Sequence, residues 1–173
     1  MKTLILGGVR SGKSRLAERL AIASGRSITY LATARAEDRE MTARISAHRA
    51  RRPENWAVIE EPLYLTAALS RFQDCVGCVI IDCMTMWLTN LLTHSDGLLL
   101  DQERRSFLID LPNLTVDVVI VSNETNMGLI PPSELSRKYC DIAGSLHQEL
   151  AILCDRVILA VAGLPHVLKG DPL

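Results

Sequence analysis

The chain of 173 residues has no apolar run long enough to cross a bilayer, and a membrane helix needs roughly 20 such residues in a row. It shows no signal-peptide pattern either: the apolar stretch at residues 4–9 is short and broken by glycines before Arg10. A cytoplasmic protein is expected. Neither sign of charge is in excess, with 19 basic and 20 acidic residues for a net charge of −1, so nothing points to nucleic acid as a partner. Repeats, low-complexity segments and interdomain linkers are lacking, and one domain over residues 1–173 follows. The five cysteines, an odd number, fit reduced thiols rather than a disulfide framework. Cys75-Val76-Gly77-Cys78 spells C-x-x-C, but it lacks the second pair or spaced histidines of a zinc site. It also leads into a strand, where a redox pair would open a helix. Small buried or half-buried thiols are expected there. Lysine is scarce, with four against 15 arginines, and arginine favours two-pronged contacts to carboxylate and phosphate.

What the sequence does contain is Gly7-Gly8-Val9-Arg10-Ser11-Gly12-Lys13-Ser14, a full match to the phosphate-loop pattern G-x-x-x-x-G-K-[ST]. Its flanks agree. Residues 4–6 form a short apolar run, and residues 15–24 carry Leu16, Leu20 and Ala23 at helical spacing before Gly25. Glycines let backbone N–H groups curl around a phosphate. The helix that follows adds the positive end of its dipole. Lys13 supplies a charge for the outer phosphates, and Ser14 a hydroxyl for Mg²⁺. A nucleoside triphosphate is the ligand.

Further strands are expected at residues 27–32, 56–60, 78–81, 116–121 and 156–162, the last before a short tail with two prolines. Helices are expected at residues 37–52, 62–72, 84–93, 101–111 and 133–153, with Ser133 as a candidate N-cap. Strands alternating with helices predict an α/β fold, a mostly parallel sheet with helices on both faces.

In such sheets ligands bind at the carboxyl ends of the strands. Asp82 ends an apolar strand there, as a metal-binding carboxylate should; an Asp in that place can also cap a helix. Glu60 and Glu61 end another strand and serve either a ribose or metal, or only solvent. Asn123 and Glu124 end a third and are candidates for orienting substrate or metal. His48 lies on the helical face of Arg44 and Arg52, with Arg51 flanking. Neighbouring guanidiniums disfavour protonation of an imidazole, and a neutral His is a nucleophile. The arginines could hold a triphosphate for attack at its α-phosphorus. On the residues alone, a surface His on a basic helix is the favoured reading. His94, His147 and His166 have no comparable setting.

Together these segments resemble the bifunctional adenosylcobinamide kinase / adenosylcobinamide-phosphate guanylyltransferase family of cobalamin biosynthesis. The resemblance covers nearly the whole chain. It is carried by GGVRSGKS at residues 7–14, YLATA at 30–34, EMTARISAHRARRPENW at 40–56, IIDCMTMWLTNLL at 80–92, VSNETNMGLIPP at 121–132 and RKYCDIAGSLHQ at 137–148. The second and fourth of the longer stretches, around His48 and Asn123, are the most specific. The resemblance implies a RecA-like phosphate-loop fold and a homotrimer. It implies phosphorylation of adenosylcobinamide by ATP or GTP, then transfer of GMP from GTP through a guanylylated histidine, placed at His48. It puts the nucleotide on residues 7–14, on Ala32, Thr33 and Ala34, on Arg49, Ala50, Arg51 and Arg52, and on Glu60 and Asp82. Three positions depart from the family pattern: Asp82 where Glu can stand, though the shorter carboxylate should still serve Mg²⁺, Asn126 where Gly is often found, and His147 where Asn is. Residues 95–114 match it weakly. A simple small-molecule kinase and a RecA-like regulatory ATPase are the alternatives; neither uses His48.

Overall fold

The computed structural model describes residues 1–173 except Glu37, Arg51, Asp74 and Ser95, and except the Arg44 side chain. The sheet is built around the strand that precedes the phosphate loop. β1 (Lys2–Gly7) is buried at every position, which is why it is nearly continuous in apolar character rather than alternating. It lies between β5 (Asp117–Asn123) and β6 (Arg156–Val161), parallel to both. β5 pairs with β4 (Cys78–Asp82), β4 with β2 (Ile28–Ala32), and β2 with β3 (Ala57–Glu60), all in parallel.

At the far edge β7 (Leu164–Lys169) runs antiparallel to β6, so the strand order is β3-β2-β4-β5-β1-β6-β7. This strand corrects the sequence reading, which ends the sheet before Gly163. The chain turns through Ala162 and Gly163, at φ 51° and 82°. Two successive left-handed residues make the hairpin turn whose twist matches that of paired strands. Pro165 is tolerated because β7 is an edge strand.

Helices cover both faces unequally. On one side α3 (Leu65–Leu69), α4 (Met84–Thr93), α5 (Leu99–Asp110) and α6 (Glu134–Leu153) build the larger core. There Trp87 and Phe107 are wholly buried, their rings edge-on at 5.6 Å. The Trp87 indole N–H donates to the Leu63 carbonyl at 2.8 Å, so its polar atom is satisfied inside the core. On the other side α1 (Lys13–Ala23) packs Leu16, Ala17 and Ala21 against Ile5, Tyr30 and Ile80. α2 (Arg39–Ala50) gives no residue to either core cluster. α3 is shorter than the helix expected at 62–72, because the Glu61 carboxylate accepts from the Leu63 and Tyr64 N–H groups and fixes a turn ahead of it. Ser133 does cap α6: its Oγ accepts from Ser136 N at 3.1 Å. Parallel register brings Gly7, Ala32, Glu60, Asp82 and Asn123 to one edge of the sheet.

Candidate active site

The phosphate loop is shaped by what lies behind it. A Cβ on Gly7 would come within 2.3 Å of the Ala160 carbonyl oxygen, so no larger residue fits. Gly12 adopts φ 95°, and its missing Cβ faces Gly163 Cα at 3.1 Å. The Gly163 N–H donates to the Ser11 carbonyl at 3.0 Å. The β6–β7 turn therefore supports the loop from below. Lys13 is 7% exposed; its ammonium donates to the Gly8 carbonyl and more weakly to Ser11 Oγ at 3.4 Å. Burial lowers its pKa from the ordinary lysine value, against the opposing pull of Cys83 and Asp82. A buried cation with so few partners is suited to an anionic ligand.

Asp82, at the end of β4, stands beside the loop. Its Oδ2 accepts from Ser14 Oγ at 2.8 Å and from the Tyr30 hydroxyl at 2.6 Å. Burial and then the Asp82 charge raise the Tyr30 phenol well above its usual pKa, so it remains a donor. Thr33 is wholly buried. Its hydroxyl donates to the Cys83 carbonyl at 2.7 Å and accepts from Cys83 N at 2.9 Å. The Asn90 amide donates to the Thr33 and Pro62 carbonyls at 2.8 and 3.0 Å. Thr33 thus braces the strand ends, while Ala32 and Ala34 on either side line the cleft.

A cleft of about 720 Å³ opens above these groups, and α2 forms its other wall. Lys13, Ser14, Asp82 and Asn123 line one side; Ile45 and His48 line the other. Val9, Arg10, Ser11 and Gly12 of the loop reach it too. Arg49 and Glu60 both border it and are ion-paired with each other. The Arg52 guanidinium lies over the Tyr30 ring, 3.4 Å from its centroid. The sequence-predicted site is thus brought together, with these exceptions. Gly7 is buried at the end of β1, Gly8 is exposed in the loop but does not line the cleft, Thr33 is buried behind it, Ala50 is exposed at the end of α2, and Arg51 and the Arg44 side chain fall outside the described residues.

Three residues important to this geometry lie in the family-like segments but are not singled out as site residues by the sequence. Tyr30 reads as an ordinary strand aromatic. Asn90 reads as a polar residue within a helix, although an amide on the apolar face of α4 is itself a signal. His147 is a third case. It lies on the buried face of α6 with Ala143, Leu146 and Leu150. Its Nε2 is 2.7 Å from Ser122 Oγ and its Nδ1 is 3.6 Å from Glu124 Oε2. Burial lowers its pKa below the ordinary histidine value, against the nearby Glu124. Glu124 also accepts from Asn126 N at 2.7 Å, so of the two residues ending β5 it is Asn123 that faces the cleft. Asn126 in turn donates to the Cys140 carbonyl at 3.0 Å, in space left open by Gly144.

The cysteines are all free. Burial raises Cys78 to about 11 and Cys83 and Cys154 to about 12, which makes these thiols inert. Cys75 is exposed. Among the described residues no group of three or more His, Cys, Asp or Glu side chains could hold a metal, and no helix is long and apolar enough to cross a membrane.

A glycine-rich loop between β1 and α1, with an acidic residue ending a nearby parallel strand, defines a phosphate-loop NTPase. Solved structures agree on the fold. The chain is similar to the RadB recombinase (TM-score 0.52, 16% identity, 91% of this chain and 73% of that one). It is also similar to the assembled ATPase EscN of an enteropathogenic E. coli type III secretion system (TM-score 0.53, 13% identity, 93% and 43%). Within that class the chain belongs to the family described as "Cobinamide kinase / cobinamide phosphate guanyltransferase", which matches residues 3–168. It is 54% identical to the "Bifunctional adenosylcobalamin biosynthesis protein CobP" of Pseudomonas aeruginosa, with all of both chains covered. It is 36% identical to the protein CobU of the same description from Escherichia coli, covering 98% of this chain and all of that one.

Proposed function

We propose that the chain is a bifunctional enzyme of adenosylcobalamin biosynthesis, formed by one domain over residues 1–173. In the first reaction the aminopropanol hydroxyl of adenosylcobinamide attacks the γ-phosphorus of ATP or GTP. An O–P bond forms, the β–γ bridging bond breaks, and a nucleoside diphosphate leaves. In the second, a ring nitrogen of His48 attacks the α-phosphorus of GTP. An N–P bond forms, the α–β bridging bond breaks, and pyrophosphate leaves. A phosphate oxygen of the first product then attacks the guanylyl phosphorus, releasing His48 and giving adenosylcobinamide-GDP. The observation that carries this reading is that His48 and the phosphate loop line one and the same cleft. A simple kinase or a regulatory ATPase gives His48 no work.

Loop N–H groups and Lys13 bind the β- and γ-phosphates in the first reaction and hold the leaving pyrophosphate in the second. Arg49 and Arg52 lie next to His48 in sequence and offer charge to the α-phosphate. The Ser14 hydroxyl and Asp82 carboxylate, 2.8 Å apart, are hard oxygen donors that fit Mg²⁺ when phosphate oxygens complete its shell. Bound there, Mg²⁺ would offset the charge on the phosphates. The homotrimer of the family is part of the proposal; sedimentation should give three times the 19.1 kDa of the chain.

The test uses GTP labelled at either the α- or the γ-phosphorus. The wild type should retain α-label that is acid-labile and alkali-stable, and His48→Asn should retain none. Absence of α-label in the wild type would overturn the guanylyltransferase assignment; γ-transfer to adenosylcobinamide tests the kinase separately.

A further inference from the structure

Among the described residues α2 reaches neither core cluster, and polar contacts near its C-terminal end help to hold it. Two are evident. The Arg49–Glu60 pair is more than half exposed at both side chains, and exposed pairs hold little. The other is made on a buried ring. Half-buried Arg52, two residues past the end of α2 and four past His48, lies over Tyr30, which is 2% exposed. Arg52 Nε is buried with no hydrogen-bond partner among the described residues. Its face is held by the ring, and the residue also lines the cleft. The same Tyr30 donates through its hydroxyl to Asp82 Oδ2, the oxygen that Ser14 also reaches. One side chain thus joins the candidate metal carboxylate to the segment that carries His48.

We propose that Tyr30 is a positioning residue: its ring seats Arg52 and thereby the His48 helix, so guanylyl transfer depends on that ring whereas phosphoryl transfer does not. The inference rests on the function proposed above. The hydroxyl has a separate task. It orients Asp82, which both reactions share, so its loss should affect them alike. The ring is the selective element, because only the second reaction needs α2 held in place.

The experiment compares Tyr30→Phe and Tyr30→Leu by three readouts: covalent α-label from GTP, γ-transfer to adenosylcobinamide, and tryptic cleavage at Arg49 in the nucleotide-free protein. A cation–π contact on a buried ring corresponds to roughly a tenfold effect. Both variants lack the hydroxyl, so the ring is read from their difference: relative to Tyr30→Phe, Tyr30→Leu should speed cleavage at Arg49 and slow α-labelling by about tenfold, while its γ-transfer stays within about threefold of that of Tyr30→Phe. Tyr30→Phe keeps the ring; its cleavage should match wild type, and its two reaction rates should change in equal proportion. Retained γ-transfer shows that the Leu variant folds, and Tyr30→Met replaces it should it not. An equal further loss of both reactions from the Phe to the Leu variant, or unchanged cleavage at Arg49, would overturn the proposal. A wild type without α-label would overturn the functional reading instead, and the cleavage rates would still decide whether the ring seats Arg52.

Discussion

Lys13 and His147 show how burial assigns different work to two basic side chains. Lys13 is a charged group kept in a half-dry loop, where desolvation lowers its pKa and the Gly8 carbonyl is its nearest partner. A triphosphate supplies the missing counter-charge. Lys13→Ala should therefore weaken GTP binding by about 1.5–3 kcal/mol, the usual worth of a hydrogen bond to a charged group. Calorimetric titration measures this, and an unchanged affinity would remove Lys13 from the phosphate site. His147 is buried in its neutral form between Ser122 and Glu124. Its folded pKa lies below the ordinary value, with desolvation outweighing Glu124. As pH falls below about 6.5 the unfolded chain takes up a proton that the native state refuses. The stability contributed by this group is thus complete above that pH and is lost on acidification toward the folded pKa. His147→Asn should flatten the fall in Tm between pH 7 and 5 relative to wild type. Parallel curves for the two proteins would show that His147 does not titrate in this way. Its place on the apolar face of α6 was visible in the sequence, but its partners come from β5, and no local pattern reveals them.

At the level of elements, most of the architecture follows from short-range signals. Strand β1, the phosphate loop and α1 are legible because apolar run, glycines and helical spacing occur in immediate succession. Asp82 is legible because a strongly apolar strand ends at it. The β6–β7 hairpin is not. Its turn is Ala162-Gly163, without the Asn-Gly or Asp-Gly signature of such turns, and its strand contains a proline. Yet this hairpin positions the loop, since the Gly163 N–H holds the Ser11 carbonyl and Gly163 lies against Gly12. At φ 82° a β-branched residue is strained by about 1–2 kcal/mol. Gly163→Val should lower Tm and also weaken GTP binding, because the turn cannot relax without moving the loop. Gly25→Val is the control: it too has positive φ, at 65°, with open space around it and no contact with the loop. It should lower Tm and leave GTP affinity unchanged. Equal GTP affinity in both variants would show that the hairpin does not support the loop.

For the molecule as a whole, the central question is how one cleft serves two reactions at different phosphorus atoms. The two walls answer it together. The loop wall, with Lys13 and Ser14, joins the buried strand β1 to α1. The α2 wall, with His48, lies outside both cores and is held by side chains. Under the proposed function, one site for the outer phosphates together with a separately held His48 would let the same bound GTP react at its γ-phosphorus with an incoming hydroxyl or at its α-phosphorus with His48. This arrangement requires ATP and GTP to compete for the same loop even though only GTP yields the guanylylated enzyme. An ATP analogue with a non-transferable γ-phosphate should therefore slow α-labelling of His48 by raising the KM for GTP, leaving the rate at saturating GTP unchanged. Separate nucleotide sites would give the opposite kinetics: a lowered maximal rate that added GTP does not restore, or no inhibition at all. Either result would separate the two activities in space and leave the shared cleft with only one of them.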